Sequence, residues 1–302
     1  MSATMLSKVR SYLAERCAHG LELTVQRSHL MNFARYADRQ GCQGKLKSQV
    51  AIRWACLPKN GERVYWAQRL AIIRTFAKRL LLTDPKTQVP PRYVFGPASR
   101  RNPPHLYTAG QIEHLLNRAA QLPGRFQAQT FEVLIGMLAC TGLRISEALR
   151  LRISDVDLNK AVMIVRESKR RTRLVPLHRT AIGPLHDYAQ RRQKLFPRSN
   201  HLNHFFVSER GTALAYSTVA HKFLELRQGI QFARRAPRLH DLRHTFACRV
   251  LQRWQSTKRG AAQRIAVLSR VLGHVHVADT YWYFSTFPEL LADATRHLER
   301  TW

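Results

Sequence analysis

The chain has 302 residues, and its 50 Lys and Arg against 19 Asp and Glu make a formal net charge of +31. This length allows two domains, and such a charge must meet a polyanion, be diluted by salt or repel itself. Nucleic acid is the first candidate polyanion, and a membrane surface is the second. The longest apolar run, residues 131–140, is too short to span a bilayer, and the N-terminus lacks a secretory apolar core. We therefore expect a cytoplasmic protein with no membrane partner.

The first part of the chain predicts a small helical domain, residues 1–84. Apolar residues recur there at three- and four-residue spacing with Lys and Arg between them, which predicts helices over 5–18, 24–39, 47–56 and 62–82. Six prolines and several basic residues follow in residues 85–106, which predicts an extended linker.

The remaining residues, 107–302, predict a second domain of mixed structure. Thr108 and Gln111 fit a capping box, and apolar residues at helical spacing within 131–138 predict a buried helix. Residues 161–166 and 172–177 predict two short strands joined by a basic hairpin, and the rest is mostly helical. The fold class is thus mainly α with a small β-sheet, and two basic lobes would clamp a nucleic-acid duplex.

Two basic motifs could bind phosphate. In "CTGLRISEAL" (140–149), Arg144 lies early on a helix and Glu147 can reach it, although an ordinary surface ion pair would give the same spacing. In "RESKRRTRLVPL" (166–177), the hairpin tip could place Lys169 in a groove, with Arg170, Arg171 and Arg173 as phosphate contacts. A solvated charge run is the alternative there.

Two further motifs carry histidines. In "RLHDLRHTFA" (238–247), His240 and Arg243 share a helical face; His240 and His244 have the spacing of metal ligands, but no third ligand lies nearby in the sequence, so we expect no metal. In "LGHVHVADTYWYF" (272–284), a tyrosine hydroxyl becomes a useful nucleophile where cations bind a phosphodiester, although packing aromatics are the alternative.

These four motifs, in this order, resemble the tyrosine recombinase (phage integrase) family over the whole second part. The helical first part resembles that family's core-binding domain, a SAM-like DNA-binding fold. The resemblance implies a catalytic domain at 107–302. It also implies an enzyme that needs no cofactor, because bond energy is kept in a covalent protein–DNA intermediate.

Residue by residue, the resemblance makes Arg144 and Arg243 the phosphate-binding arginines, with Glu147 supporting Arg144. It makes Lys169 the general acid. His240 and His274 become the histidines of the site. The family's nucleophile usually follows the last histidine by nine residues, which indicates Tyr283 and leaves Tyr281 a packing residue. The basic residues expected to contact DNA are Arg166, Arg170, Arg171, Arg173, Arg234, Arg235 and Arg238.

The implied function is site-specific recombination of double-stranded DNA through a 3′-phosphotyrosyl intermediate, by a homotetramer on two duplexes. Residues 286–302 could form a helix that docks on a neighbouring protomer. We favour integration or excision of a mobile element. A Xer-like dimer resolvase, a type IB topoisomerase and a non-cleaving DNA-binding protein are the alternatives.

One segment departs from the family pattern. Residues 251–271 are longer than usual between the second arginine and the last histidine, and they add positive charge. We expect this insertion to form a basic loop between helices.

Overall fold

The protein is represented by a computed structural model that divides into two compact units, Met1–Asn102 and Pro103–Trp302. The structure describes these residues: 4–21, 23–42, 44–58, 60–98, 103–168, 171–197, 203–232, 235–255, 261–274, 276, 279–281 and 283. None of the helices in this described part is long and apolar enough to cross a membrane.

Four helices lie in the described residues of the first unit, and each agrees with its predicted bounds to within one residue. They are α1 (Met5–Ala18), α2 (Thr24–Arg39), α3 (Ser48–Ala55) and α4 (Arg63–Leu81). Their apolar faces meet in one core, which includes Val9, Phe33, Trp54 and Phe76. The periodic apolar residues therefore form the helices because they can be buried together.

The Asp38 carboxylate joins two of these helices. Its oxygens accept hydrogen bonds from the first backbone N–H groups of α1, those of Met5 at 2.7 Å and Leu6 at 3.0 Å. Of the residues predicted to link the domains, Val89 and Phe95 pack against this core. The linker bounds, 85 and 106, stay a prediction.

The second unit is mainly helical with a small antiparallel sheet, as the sequence predicts. Its elements are α5 (Ala109–Ala120), α6 (Arg125–Thr141), α7 (Ile145–Arg150), a 3-10 turn (Ile153–Asp155), β1 (Val156–Asp157), β2 (Val162–Ser168), β3 (Arg171–Pro176), α8 (Arg179–Leu195), α9 (Tyr216–Leu226), α10 (Leu239–Gln255) and α11 (Ala261–Leu272).

Local signals place α5 and α6 correctly. The Thr108 hydroxyl accepts a hydrogen bond from the backbone N–H of Gln111 at 3.1 Å, and the Gln111 side-chain oxygen accepts one from the backbone N–H of Thr108. The predicted capping box is therefore confirmed. Phe131 and Leu134 on α6 are buried in the core of the second unit. The predicted buried helix is confirmed as well.

The sheet has the order β1-β2-β3, and the two-residue strand β1 was not predicted. Val165 pairs with Arg173 and Met163 with Val175, and an irregularity lies between Val165 and Ser168. Met163, Val165 and Val175 are buried, so one face of the hairpin lies on the core.

The segment 251–271 is helical on both sides of residues 256–260, which lie outside the described residues, so the basic loop predicted between helices stays a prediction. Residues 251–255 continue α10, and 261–271 belong to α11. Leu251, Leu268 and Leu272 pack into a separate small core, and the Arg264 guanidinium donates to the Trp254 carbonyl at 2.8 Å. The segment is helical because its apolar residues recur at helical spacing and find a buried partner.

Candidate active site

A sharp turn after α6 brings Arg144 into the site. Gly142 closes α6 at φ +65°, a left-handed conformation that favours glycine, and a Cβ there would lie 2.5 Å from Phe246 Cδ1. Arg144 is then the N-cap of α7. The backbone can make this turn against Phe246 only because residue 142 has no side chain.

Glu147 holds Arg144 by two bonds and is itself almost fully buried. Its Oε2 accepts from the Arg144 backbone N–H at 2.9 Å, and its Oε1 accepts from Arg144 Nη1 at 2.7 Å. The same carboxylate accepts from Arg173 Nη2 at 2.7 Å and Nη1 at 3.2 Å. One buried carboxylate therefore lies between two guanidinium groups, which leaves the site with excess positive charge.

Three arginines converge on the C-terminal end of α11. Arg173 Nε donates to the Val271 carbonyl at 2.8 Å. In the same way, Arg243 Nη2 donates to the Leu272 carbonyl at 2.6 Å, and Arg144 Nη2 donates to the Gly273 carbonyl at 3.2 Å. The last carbonyls of a helix lack intrahelical partners and carry the negative end of its dipole, so three cations are stabilised there. These bonds attach the chain just before His274 to α7, β3 and α10.

Arg243 is the most deeply buried cation of this group, with 2% of its surface exposed. Its Nη1 donates to the Gly142 carbonyl at 2.9 Å, so it also supports the turn before Arg144. Burial, with the neighbouring charge of Arg144, lowers the pKa of Arg243 to about 10. The guanidinium is still charged at neutral pH.

Tyr283 is buried against this cluster, whereas Tyr281 is 51% exposed and Tyr283 only 2%. Burial raises the pKa of Tyr283 to about 12, and the charge of Arg243 and its hydrogen bond to the phenol oppose that rise. The Tyr283 ring stacks on His274 with centroids 6.3 Å apart. The phenol thus lies where a cation contacts its oxygen.

Three histidines line the same region. His274 Nδ1 is 2.7 Å from the hydroxyl of the buried Thr280. His240 lies at the surface, where partial loss of hydration and the charge of Arg243 lower its pKa to about 4. His244, whose ring is 4.7 Å from that of His240 and 5.6 Å from that of Tyr283, has a pKa lowered to about 3, mainly by burial. His240 and His244 are therefore neutral at pH 7.

The residues predicted to contact DNA have different environments. Arg235 is exposed. Arg166 is paired with the buried Asp155 at 2.5 Å and keeps 47% of its side chain exposed, and Arg238 is paired with Asp241 at 2.8 Å with 40% exposed. Lys169, Arg170 and Arg234 lie outside the described residues, as does the segment 286–302 that was predicted to form a docking helix. The side chain of Arg171 is not described either.

Two side chains of this site, Arg173 and His244, have surroundings that were not predicted from the sequence. Arg173 was predicted to contact phosphate, yet its side chain is 10% exposed and bound to Glu147. Strand alternation could have revealed this, because Arg173 falls on the same face as the buried Val175. His244 was considered only as a metal ligand, although it lies one helical turn from His240 and could have been predicted to face the same site.

Together, the described residues place a phenol, three guanidinium groups and neutral imidazoles around one small region. Guanidinium groups bind the non-bridging oxygens of phosphate, and their charge stabilises a developing negative charge most strongly where water is partly excluded. In the described part of the chain, no group of three or more His, Cys, Asp or Glu is arranged to hold a metal ion.

Comparison with known families gives a match over the second unit. The sequence model described as "Phage integrase family" matches residues 106–289, more than half of the chain. The match includes each residue of the cluster around Glu147 and Tyr283.

Individual relatives agree with this match. A protein of Sinorhizobium fredii named as an integrase/recombinase, y4rB, is 34% identical over 99% of this chain and 98% of its own length. The tyrosine recombinase XerC of Alcanivorax borkumensis is 26% identical over 76% of this chain and 71% of its own. Among solved structures, the Tn1549 transposon integrase in complex with transposon right end DNA has a similar fold, with a TM-score of 0.70, 16% identity, and 97% and 98% of the two chains covered.

Proposed function

This chain belongs to the phage integrase family and is a tyrosine-type recombinase, and we propose that it cuts and rejoins double-stranded DNA through Tyr283. The observation that carries the assignment of Tyr283 is its burial beside Arg243, with its ring stacked on that of His274 and close to that of His244. Arg243 in turn supports the turn that presents Arg144. A buried phenol and two cations suited to binding phosphate therefore lie in one site.

The chemistry follows from these groups. The Tyr283 oxygen attacks phosphorus, and its proton passes to a neutral histidine of the site. Arg144 and Arg243 stabilise the charge that develops on the non-bridging oxygens. The bond from phosphorus to the 5′ oxygen breaks, and Lys169 protonates that oxygen. A 5′ hydroxyl of the partner duplex then attacks the phosphotyrosyl bond and releases the enzyme.

Tyr283→Phe tests the nucleophile, with Tyr281→Phe as the matched control. The substrate is a duplex nicked near the cleavage site. Cleavage releases the short fragment that carries the freed 5′ hydroxyl, so rejoining is prevented and the covalent adduct accumulates. We expect Tyr283→Phe to form no adduct and still to bind the duplex, because only the reacting hydroxyl is lost. Tyr281→Phe should form the adduct. The assignment fails if the two variants exchange these results.

We further propose that the biological role is integration or excision of a mobile element by a tetramer on two duplexes. The similarity to the integrase/recombinase y4rB over almost the full chain favours this role, whereas the XerC similarity covers less of the chain. A plasmid carrying the gene's flanking DNA tests it. Excision of a circle supports the proposal, resolution of plasmid dimers indicates a Xer-like role, and relaxation of supercoils without exchange indicates a topoisomerase.

A further inference from the structure

We propose that Arg173 is a positioning residue that holds Glu147 and, through it, the guanidinium of Arg144, rather than a contact to DNA. The inference rests on the proposed function, because it concerns how the phosphate-binding arginine of that reaction is placed. It assigns to β3 a role in cleavage that is separate from the hairpin tip.

The bonds of Arg173 are directed into the protein. Its Nε, Nη1 and Nη2 all donate, to the Val271 carbonyl and to both oxygens of Glu147, at 2.8, 3.2 and 2.7 Å. The guanidinium also packs against Gly273, where a Cβ would lie 2.7 Å from Nη1. Arg173 is thus fixed by α7, by the end of α11 and by the glycine that follows α11.

Glu147 depends on Arg173 for its orientation. Each carboxylate oxygen of Glu147 receives one bond from Arg144 and one from Arg173. Without Arg173, both of the bonds that it donates to the buried carboxylate are lost. The Glu147 side chain can then rotate, and the Arg144 guanidinium loses the support that sets its direction toward phosphate.

The alternative is that Arg173 contacts the DNA backbone, as basic residues on such a hairpin often do. The exposure of its side chain decides against this, because 10% of Arg173 is accessible compared with 47% of Arg166 on the adjacent strand. A phosphate oxygen would also have to compete with bidentate binding by a carboxylate.

Binding and cleavage distinguish the two roles. For Arg173→Lys and Arg173→Met, duplex affinity is measured across salt concentrations, and adduct formation is measured at saturating nicked DNA. We expect adduct formation to slow by roughly 100-fold in both variants, the effect expected if the Arg144 guanidinium moves by about 1 Å. The dependence of duplex affinity on salt should stay as in the wild type. Arg173→Lys should not restore cleavage, because an ammonium group cannot bind both oxygens of Glu147 as a planar guanidinium does. It would restore binding if residue 173 contacted phosphate.

Arg166→Met, at a more exposed arginine that is predicted to contact phosphate, is the comparator and should weaken binding and reduce the salt slope by about one. If the Arg173 variants show that pattern and cleave saturating DNA at the wild-type rate, the proposal is overturned. Thermal unfolding checks that each variant is folded. If Arg173→Met does not fold, Arg173→Lys carries the test, and Glu147→Gln should reproduce its slow cleavage.

A double-mutant cycle tests the route through Arg144. In an Arg144→Ala background, Arg173→Lys should slow cleavage by less than about threefold, because the group it positions is gone. A full loss in both backgrounds would overturn the proposed route. Failure of the proposed function looks different, since the wild-type protein would then form no adduct at all.

Discussion

At the scale of single residues, the site contains charged side chains that are buried and therefore depend on their protein partners. Glu147 is buried between two arginines, and a buried carboxylate that lost both would be strongly destabilised. Arg243 keeps its charge despite burial because it binds two backbone carbonyls. These contacts predict that lysine would not replace Arg243, since a planar guanidinium binds several acceptors at once and an ammonium group does not.

His244 predicts a dependence of stability on acid. Its pKa is about 3 in the folded protein, below the ordinary 6.5, so the unfolded chain binds the proton more strongly. Stability is therefore complete above about pH 6.5 and decreases as the pH falls from there toward 3. We expect the melting temperature of the wild type to fall more between pH 7 and pH 5 than that of His244→Asn.

The exposed His186 on α8 is the matched control for this measurement. His186→Gln should keep the steep wild-type dependence. The prediction is contradicted if His244→Asn shows that same steep dependence.

At the scale of elements, the C-terminal end of α11 organises the site. Its last carbonyls bind arginines from three other elements, and the chain then continues to His274 and Tyr283. On the opposite side, α6 ends at a left-handed Gly142 that lets α7 begin at Arg144. The active-site residues are thus presented by the ends of helices, where backbone groups without helical partners are available.

Gly142→Ala should destabilise the second unit by about 2 kcal/mol, because Ala strains at positive φ and its Cβ overlaps Phe246. Gly136→Ala in the same helix is the control. Its Cβ would meet Leu116 at an ordinary 3.7 Å, and alanine in a helix interior should stabilise by about 0.5 kcal/mol or more. Chemical denaturation of both variants measures the difference. Equal stabilities would show that the turn does not need glycine.

At the scale of the whole molecule, the net charge of +31 predicts that binding to DNA depends strongly on salt. We expect affinity for a duplex to fall by about 1,000-fold or more between 50 and 200 mM salt, because many Lys and Arg displace counterions from phosphates. An unrelated duplex should show a similar slope, since backbone contacts carry no sequence information. Affinity that is independent of salt would contradict a charge-driven interface.

The sequence by itself determined the helices of the first unit, the capping box at Thr108, the β2–β3 hairpin and the family. These features depend on local spacing or on motifs that are contiguous in the chain. It did not predict strand β1, because a two-residue strand has no period.

Only the tertiary structure decided which charges meet. Arg173, Glu147 and Val271 are far apart in the sequence, and no local pattern shows that one guanidinium joins them. The contact of Tyr283 with Arg243 likewise exists only when α10 and α11 are packed together. The physical reason is that hydrogen bonds and ion pairs act over a few ångströms in space, whereas a sequence pattern records only neighbours along the chain.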